Sequence, residues 1–474
     1  MADATVIERE RGLRKGLRTG QIIMIGLGGA IGTGLFMGSG IAIGYAGPAV
    51  LVSYLIAALI AMAMVFSLSE MAVVHPAAGS FGAYAEMYLG PWSGFVVRYT
   101  YWIAQIIAIG GEAVAVGIYM SYWFPDVPVW MWSIGFALVL VSVNTRSVAN
   151  FGTFEYWFAM IKVMAIVLFI IFGLAHVFGL GTAPTGVENL TQLPGGFLPN
   201  GFGGAWMGVL VAVYSFYGIE IIAVTSGESV DPRASIPAAL RSMALRLLLF
   251  YVLALGIMVT VLPWTEVGAT VVDRSPFVKV FDHAGIAHAA AIMNFVVITA
   301  ALSSMNTNLY LCSRMLFSLA RGGYAPAVLG TLGRHGTPVV ATVVSGICIL
   351  LAASVSRLTP LAFNYLFGIA LFGGLSVWLF ILVSHLRFRK RFAAASLPVR
   401  MSLVPGLQIV AIALLLAVLL TMAVAGEFWT AAWIVGVPWF VLISLAYLWW
   451  KRRPRSTHRA ATADSASPGS SSVR

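Results

Sequence analysis

Stretches of roughly 20 apolar residues recur along almost the whole chain, each bounded by a few charges, Gly or Pro. A helix needs about 20 such residues to cross about 30 Å of hydrocarbon, so the spacing prescribes membrane-crossing helices. Only 9% of the 474 residues are charged, against about 25% in a soluble domain. So few charges cannot cover a water-facing surface of this size, whereas a lipid-facing surface needs none. Length alone would suggest two or three soluble domains. The distribution of charge overrules that in favour of one membrane domain with two short polar tails.

Twelve apolar segments are expected. The first five cover about 20–46, 49–74, 92–124, 127–145 and 154–178. A polar, Gly/Pro-rich loop follows over 179–202. The next five cover about 204–226, 243–264, 285–316, 337–355 and 360–386, and the last two about 404–424 and 428–450. The chain thus divides into an N-terminal tail (1–18), a membrane domain of twelve helices (19–450) and a basic, Ser/Ala-rich tail (451–474) expected to be disordered.

The net charge of +11 could suggest a nucleic-acid partner. Its placement argues otherwise, because the charges lie in short loops and tails without an aromatic-interleaved basic face. With the N-terminus in the cytoplasm, one side of the membrane receives Arg9–Arg18, Arg146, Arg233, Arg241, Arg246, Arg314, Arg321, Arg334, Arg387–Arg391, Arg400 and the C-terminal tail. The other side receives only Arg274, Lys279 and Arg357. That asymmetry requires an even number of crossings, with both termini inside an inner (plasma) membrane. Trp123, Trp130, Trp132, Trp449 and Trp450 fall at expected helix ends, as an aromatic belt would. Cys312 and Cys348 lie within apolar runs and read as packed thiols. The first apolar stretch is Gly-rich and follows a long charged start, so it reads as a mature helix, not a cleaved signal.

Two segments are interrupted. The first reads Gly28-Gly29-Ala30-Ile31-Gly32-Thr33-Gly34, with four glycines in seven residues. Each glycine weakens a helix interior by roughly 0.5–1 kcal/mol relative to Ala. Gly28 and Gly32 could simply form a GxxxG packing pair. The functional alternative is a helix broken at mid-membrane, whose free amides and half-helix dipole would hold a carboxylate. The spacing is not that of a dinucleotide loop. The sixth segment carries Tyr214-Ser215-Phe216-Tyr217-Gly218-Ile219-Glu220, again with glycine at mid-segment beside a carboxylate. Interrupted segments in corresponding positions of two halves point to a transporter binding site. Segments one and six correspond if two five-helix halves are inverted repeats.

Four ionisable residues stand out within the spans: Glu112, Lys162, Glu220 and Glu228. Such groups must face protein or water. Lys162 either snorkels to an interface or is a buried ammonium, able to exchange a proton or to stand in for a bound cation. Glu112 and Glu220 are structural carboxylates or site residues. Glu228 reads as a loop or capping charge. Ser303, Ser304, Asn306, Thr307 and Asn308 make the eighth segment polar, either as glue between helices or as cavity lining. The histidines lack metal-ligand spacing.

These motifs have a recognisable source. The chain resembles the amino acid transporter branch of the amino acid–polyamine–organocation superfamily over roughly residues 11–450. The resemblance rests on Leu13-Arg14-Lys15-Gly16-Leu17, Ile25–Phe36, Gly79-Ser80-Phe81, Tyr119-Met120, Glu155-Tyr156-Trp157-Phe158-Ala159 and Ile161-Lys162. It continues through Ser215–Glu220, Gly227-Glu228 with Asp231-Pro232, and Ser313-Arg314-Met315-Leu316. It implies an all-helical fold like that of the sodium-coupled leucine transporter, with two inverted five-helix repeats and two extra helices. It also implies that the amides around Gly32, Thr33 and Gly34 hold a substrate α-carboxylate. Carbonyls near Ala30, Ile31, Ser215 and Phe216 would receive the α-ammonium beside Gly218. Tyr214, Tyr217 and Glu112 would border the side-chain pocket. Lys162 falls where the family's fifth-segment lysine occupies the place of an ion in sodium-coupled relatives. Proton coupling follows, with Glu220 a participant.

The expectation is therefore an amino acid–proton symporter working by alternating access, with a neutral substrate preferred and no cofactor. An amino acid exchanger on the same fold and an amino acid-sensing receptor are the alternatives. An enzyme is disfavoured, since no nucleophile–base pair or metal constellation is visible. No phosphate loop for ATP is present.

Overall fold

The computed structural model describes residues 6–8, 16–77, 79–146, 151–180, 187–268, 275–284, 288–333, 336–392, 397, 400–401 and 403–452. Among these the secondary structure is helical, apart from one isolated bridge between Leu17 and Ser229. Most of the N-terminal tail, including Leu13, Arg14 and Lys15, lies outside the described residues. So do Arg274, Arg334 and the C-terminal tail beyond Arg452.

The first apolar segment forms α1 (Thr19–Ala30), a π-helical turn (Gly34–Gly38) and α2 (Ser39–Ala46). It reverses at Gly47 into α3 (Val50–Val74). A helix outside the expected apolar segments, α4 (Ser80–Leu89), then leads into α5 (Pro91–Met120). Next come α6 (Val129–Arg146) and α7 (Phe151–Val177). The sixth segment splits into α8 (Gly201–Ser215) and α9 (Ile221–Thr225). It is followed by α10 (Pro232–Val261), α11 (Pro276–His283) and α12 (Ala289–Arg321). The chain ends in α13 (Val339–Ala353), α14 (Ala362–Arg391), α15 (Gly406–Val424) and α16 (Glu427–Arg452).

Eight of these stretches are long and apolar enough to cross a membrane, with Thr19–Val74 taken as one. Three shorter apolar helices cover Val129–Asn144, Gly201–Ser215 and Arg246–Val261. The largest departure from expectation is α10, which starts at Pro232 and not near 243. Its polar first turns carry a strong start signal: Asp231 accepts hydrogen bonds from the amides of Arg233 (3.1 Å) and Ala234 (3.2 Å). Pro at the first helical position is tolerated because its missing N–H had no partner there.

Helices α5 and α12 are buried over most of their length, presenting Tyr101, Gln105, Glu112, Ser304 and Asn308 inward. Helices α15 and α16 are peripheral, with Leu416, Leu420, Ile434, Leu442 and Leu445 exposed. Such apolar exposure suits lipid and not water. Cys312 and Cys348 are free thiols.

Two buried polar clusters tie the bundle together at the ends of α3, α5, α12 and α14. Arg98 on α5 is fully buried and donates to Glu86 on α4 (2.9 Å) and Ser318 on α12 (2.7 Å). Tyr324 donates to the second Glu86 oxygen (2.9 Å). Glu70, at the end of α3, meets His385 (2.7 Å) and Arg389 (2.8 Å), both on α14. Gln408 on α15 contacts the other His385 nitrogen (3.1 Å). Breaking such a pair by removing one partner is strongly destabilising, because it strands a buried charge.

Candidate substrate and coupling site

Both sequence-predicted interruptions are real breaks in the backbone. Helix α1 ends at Ala30, and Ile31 leaves helical geometry at φ −86°, ψ 88°. Helical structure resumes at Gly34. Helix α8 ends at Ser215, and α9 begins only at Ile221. Between them Gly218 adopts φ +101°. That conformation is strained for any residue with a side chain.

The two breaks touch each other. A Cβ on Gly218 would fall 2.8 Å from the Gly29 carbonyl oxygen, and one on Gly34 would fall 2.9 Å from Ser215 Cα. Only glycine permits these approaches. Tyr251 on α10 spans the same junction, its hydroxyl lying 3.0 Å from the Ala30 carbonyl and 2.7 Å from the Ser215 carbonyl. Tyr54 on α3 pairs with the Ser215 hydroxyl at 2.8 Å.

Each nominated residue takes a definite place. Ala30, Ile31, Gly32, Thr33 and Gly34 form the first break and are buried. The amides of Gly32–Gly34 precede a new half-helix, whose first N–H groups have no intrahelical partners. Glu112 lies at this break: a Cβ on Gly32 would meet both its Oε1 and Ser304 Oγ. Ser304 donates to Glu112 Oε1 at 2.6 Å and reaches the Gly29 carbonyl at 3.4 Å. An anionic group beside the start of a half-helix is electrostatically favoured. Tyr214 packs at a tilt against Phe367 of α14, with centroids 4.1 Å apart, and Tyr217 packs against Gly374 of the same helix. The Phe216 ring turns the other way, toward Tyr251 and Tyr54. It therefore contributes backbone, not ring, to the junction.

Lys162 does not snorkel. It is fully buried, and its Nζ donates to the Gly28 carbonyl at 2.6 Å. That carbonyl lies in the last turn before the first break. Glu155, two turns earlier on α7, rests against the same Gly28. Ser303 donates to one Glu155 oxygen and Asn306 to the other at 3.4 Å. Asn144 on α6 bonds the Asn306 side chain at 2.8 Å. Glu155 and Glu112 are the two carboxylates that act electrostatically on Lys162. The polar residues of α12 thus both join helices and line the junction.

Glu220 is the last residue of the second break, immediately before α9. One of its oxygens accepts from Tyr101 (2.7 Å) and the other from the Gly218 amide (3.2 Å). Gln105 in turn donates to the Tyr101 hydroxyl at 2.8 Å. Glu228 is not a simple loop charge. Its carboxylate pairs with Arg314 on α12 at 2.8 Å, and its carbonyl accepts from the Gly16 and Leu17 amides. Arg314 also lies over the Tyr310 ring, 3.6 Å from its centroid. The ion pair fastens the end of the second broken segment to α12, and the Glu228 carbonyl fastens it to Gly16 and Leu17.

Sequence reasoning missed Tyr251, Tyr54 and the role of Glu155. Nothing local marks the tyrosines, since a Tyr in an apolar run is ordinary. Glu155 had a usable signal: it lies seven residues before Lys162, which puts both on one helix face.

A broken helix pair enclosing polar groups at mid-bundle suits a small zwitterion that enters and leaves, not a reaction. The family model for amino acid permeases matches residues 21–460. The chain belongs to the amino acid permease family. This permease is 38% identical over 460 residues to the γ-aminobutyric acid permease of Bacillus subtilis (strain 168), covering 96% of this chain and 97% of that protein. It is 37% identical over 441 residues to the probable threonine/serine transporter YbxG of the same organism, covering 92% and 94%. It is likewise 37% identical over 440 residues to the aromatic amino acid transport protein AroP of Escherichia coli O6:H1, covering 92% and 95%. The permease is accordingly a multi-pass membrane transporter and not an enzyme.

Proposed function

We propose that this permease carries a neutral amino acid across the inner membrane by proton symport with alternating access. The observation that carries the reading is the Lys162 ammonium on the Gly28 carbonyl, in the last turn before the first break. Gain or loss of one proton there makes or removes a charge-assisted bond to the backbone that borders the substrate. Such bonds are roughly twice as strong as neutral ones. Proton occupancy and the shape of the break are thereby linked.

In this reading the α-carboxylate meets the amides of Gly32, Thr33 and Gly34. The α-ammonium meets carbonyls near Ala30, Ile31, Ser215 and Phe216, next to Gly218. Tyr214, Tyr217 and Glu112 border the side chain, and Glu220 assists proton movement. Counting Thr19–Val74 as two crossings, and adding the three shorter apolar helices to the other seven spans, gives twelve. Twelve crossings fit two inverted five-helix repeats followed by α15 and α16. The excess of Lys and Arg then puts both termini in the cytoplasm. Relatives named for γ-aminobutyric acid, threonine/serine and aromatic amino acids support an amino acid substrate.

The test is uptake of labelled amino acids into proteoliposomes, with and without an inward proton gradient, for wild type and Lys162→Ala. Gradient-stimulated uptake that disappears in the variant is the expected result. Uptake that ignores the gradient but requires internal amino acid would establish exchange instead. Full gradient-driven uptake by the variant would remove Lys162 from the coupling mechanism.

A further inference from the structure

Around the first break, buried polar atoms are left without partners in a consistent pattern. Asn308 on α12 is 6% exposed, one turn beyond Ser304. Its amide nitrogen donates to Ser304 Oγ at 3.4 Å. That bond fixes which end of the amide is left over: Oδ1, an acceptor with no hydrogen bond among the described residues. Ser304 is the residue that holds Glu112 at Gly32, so Asn308 belongs to the wall of the same junction. Two hydroxyls on the breaks themselves are also unpartnered: Thr33 Oγ1, at 1% exposure, and the Tyr217 hydroxyl, at 8%.

A buried acceptor without a donor is a standing desolvation penalty, and native structures rarely leave one unexplained. The penalty disappears if the occupant of the site supplies the donor. The Glu112 carboxylate is engaged by Ser304, and Lys162 acts on it as a counter-charge. Glu112 Oε2 is also unpartnered, but that carboxylate faces the Lys162 counter-charge; the others at the break, Asn308 Oδ1, Thr33 Oγ1 and the Tyr217 hydroxyl, are neutral. A neutral donor satisfies them without leaving a second buried charge to be balanced.

We propose that the substrate of this permease is an uncharged amino acid whose side chain carries a hydrogen-bond donor, a hydroxyl or an amide, with Asn308 as the accepting residue. The inference rests on the amino acid transport reading above. An aliphatic side chain of equal size fills the same space but leaves Asn308 Oδ1 unpaired. A site built to pair with a polar substrate group rejects the analogue lacking it.

The decisive measurement is binding to the purified full-length permease by isothermal titration calorimetry, with shape-matched pairs: threonine against valine, asparagine against leucine. Threonine or asparagine should bind about tenfold or more tighter than its partner, as one satisfied buried hydrogen bond implies. Asn308→Leu should abolish that preference, bringing the two members of each pair to within about twofold of each other. Thr33→Val, an independent substitution at the break, should narrow the threonine–valine ratio in the same direction. Equal binding within both pairs by wild type, as when water satisfies Asn308 in every complex, would overturn the proposal alone. So would tighter binding of lysine than of any uncharged amino acid. Failure of every amino acid to bind would overturn the transport reading, and this proposal with it.

Discussion

The Tyr251 hydroxyl lies 2.7 Å from the carbonyl oxygen of Ser215, the last residue of the helix before the second break. It also lies 3.0 Å from the Ala30 carbonyl, the last of the helix before the first. A hydroxyl has one proton, so it donates to one carbonyl at a time. Movement of either half-helix shifts that proton's choice. Tyr251→Phe should lower uptake about tenfold or more. Its unfolding stability should fall by only about 1–3 kcal/mol, the value of an unmade buried bond. Unchanged uptake kinetics in proteoliposomes would show that the bond is purely structural.

Gly218 is the position where a single methyl should do most harm. Its φ of +101° is strained for alanine, and the added carbon would lie 2.8 Å from the Gly29 carbonyl. Gly218→Ala should abolish transport, because the two breaks can no longer meet. Gly203→Ala serves as the control: it lies in α8 with nothing within 4 Å of the added carbon. It should transport normally and gain a few tenths of a kcal/mol in stability.

Glu155 and Lys162 both engage Gly28, one through contact and the other through a 2.6 Å hydrogen bond. Glu155→Gln keeps the shape and removes the counter-charge. Gradient-stimulated uptake should fall severalfold, while substrate exchange without a gradient persists. Counterflow in the same vesicles separates the two. Equal losses in both modes would indicate a folding defect and not a coupling defect.

The Arg314–Glu228 pair is nearly buried, with side-chain exposures of 4% and 12%. Arg314→Leu should destabilise the protein by about 3–5 kcal/mol, since it strands the carboxylate. Arg314→Leu combined with Glu228→Leu should recover most of that loss. Chemical unfolding of the two variants measures it. A double variant no more stable than the single one would mean that the Gly16 and Leu17 contacts, not the charges, hold this end.

Much of the fold was legible because lipid imposes one pattern, long apolar runs that must pair their backbone groups internally. Both breaks were legible for the opposite reason, since glycines at mid-span violate that pattern. Helix α4 was not, because its ten residues are too few to register as a crossing, and the first turns of α10 were not, because they are too polar. Lys162 was recognisable as a charge in the wrong solvent, but its bond to Gly28 was not, since 134 residues separate the two. Tyr251 was invisible for a related reason: its chemistry is one hydroxyl on an otherwise apolar face. Glu228 misled because its partner, Arg314, is 86 residues away.

Among the described residues, four buried or nearly buried carboxylates precede the basic side chains they act on along the chain. Glu70 precedes His385 and Arg389, Glu86 precedes Arg98, Glu155 precedes Lys162, and Glu228 precedes Arg314. A ribosome makes the carboxylate first in every case. When each of these basic side chains reaches the membrane, its anion has already been synthesised. The cation therefore need not enter hydrocarbon, where a bare charge is costly, before a counter-charge exists. The arrangement that holds the finished bundle together is also one that can be inserted from the N-terminus onward.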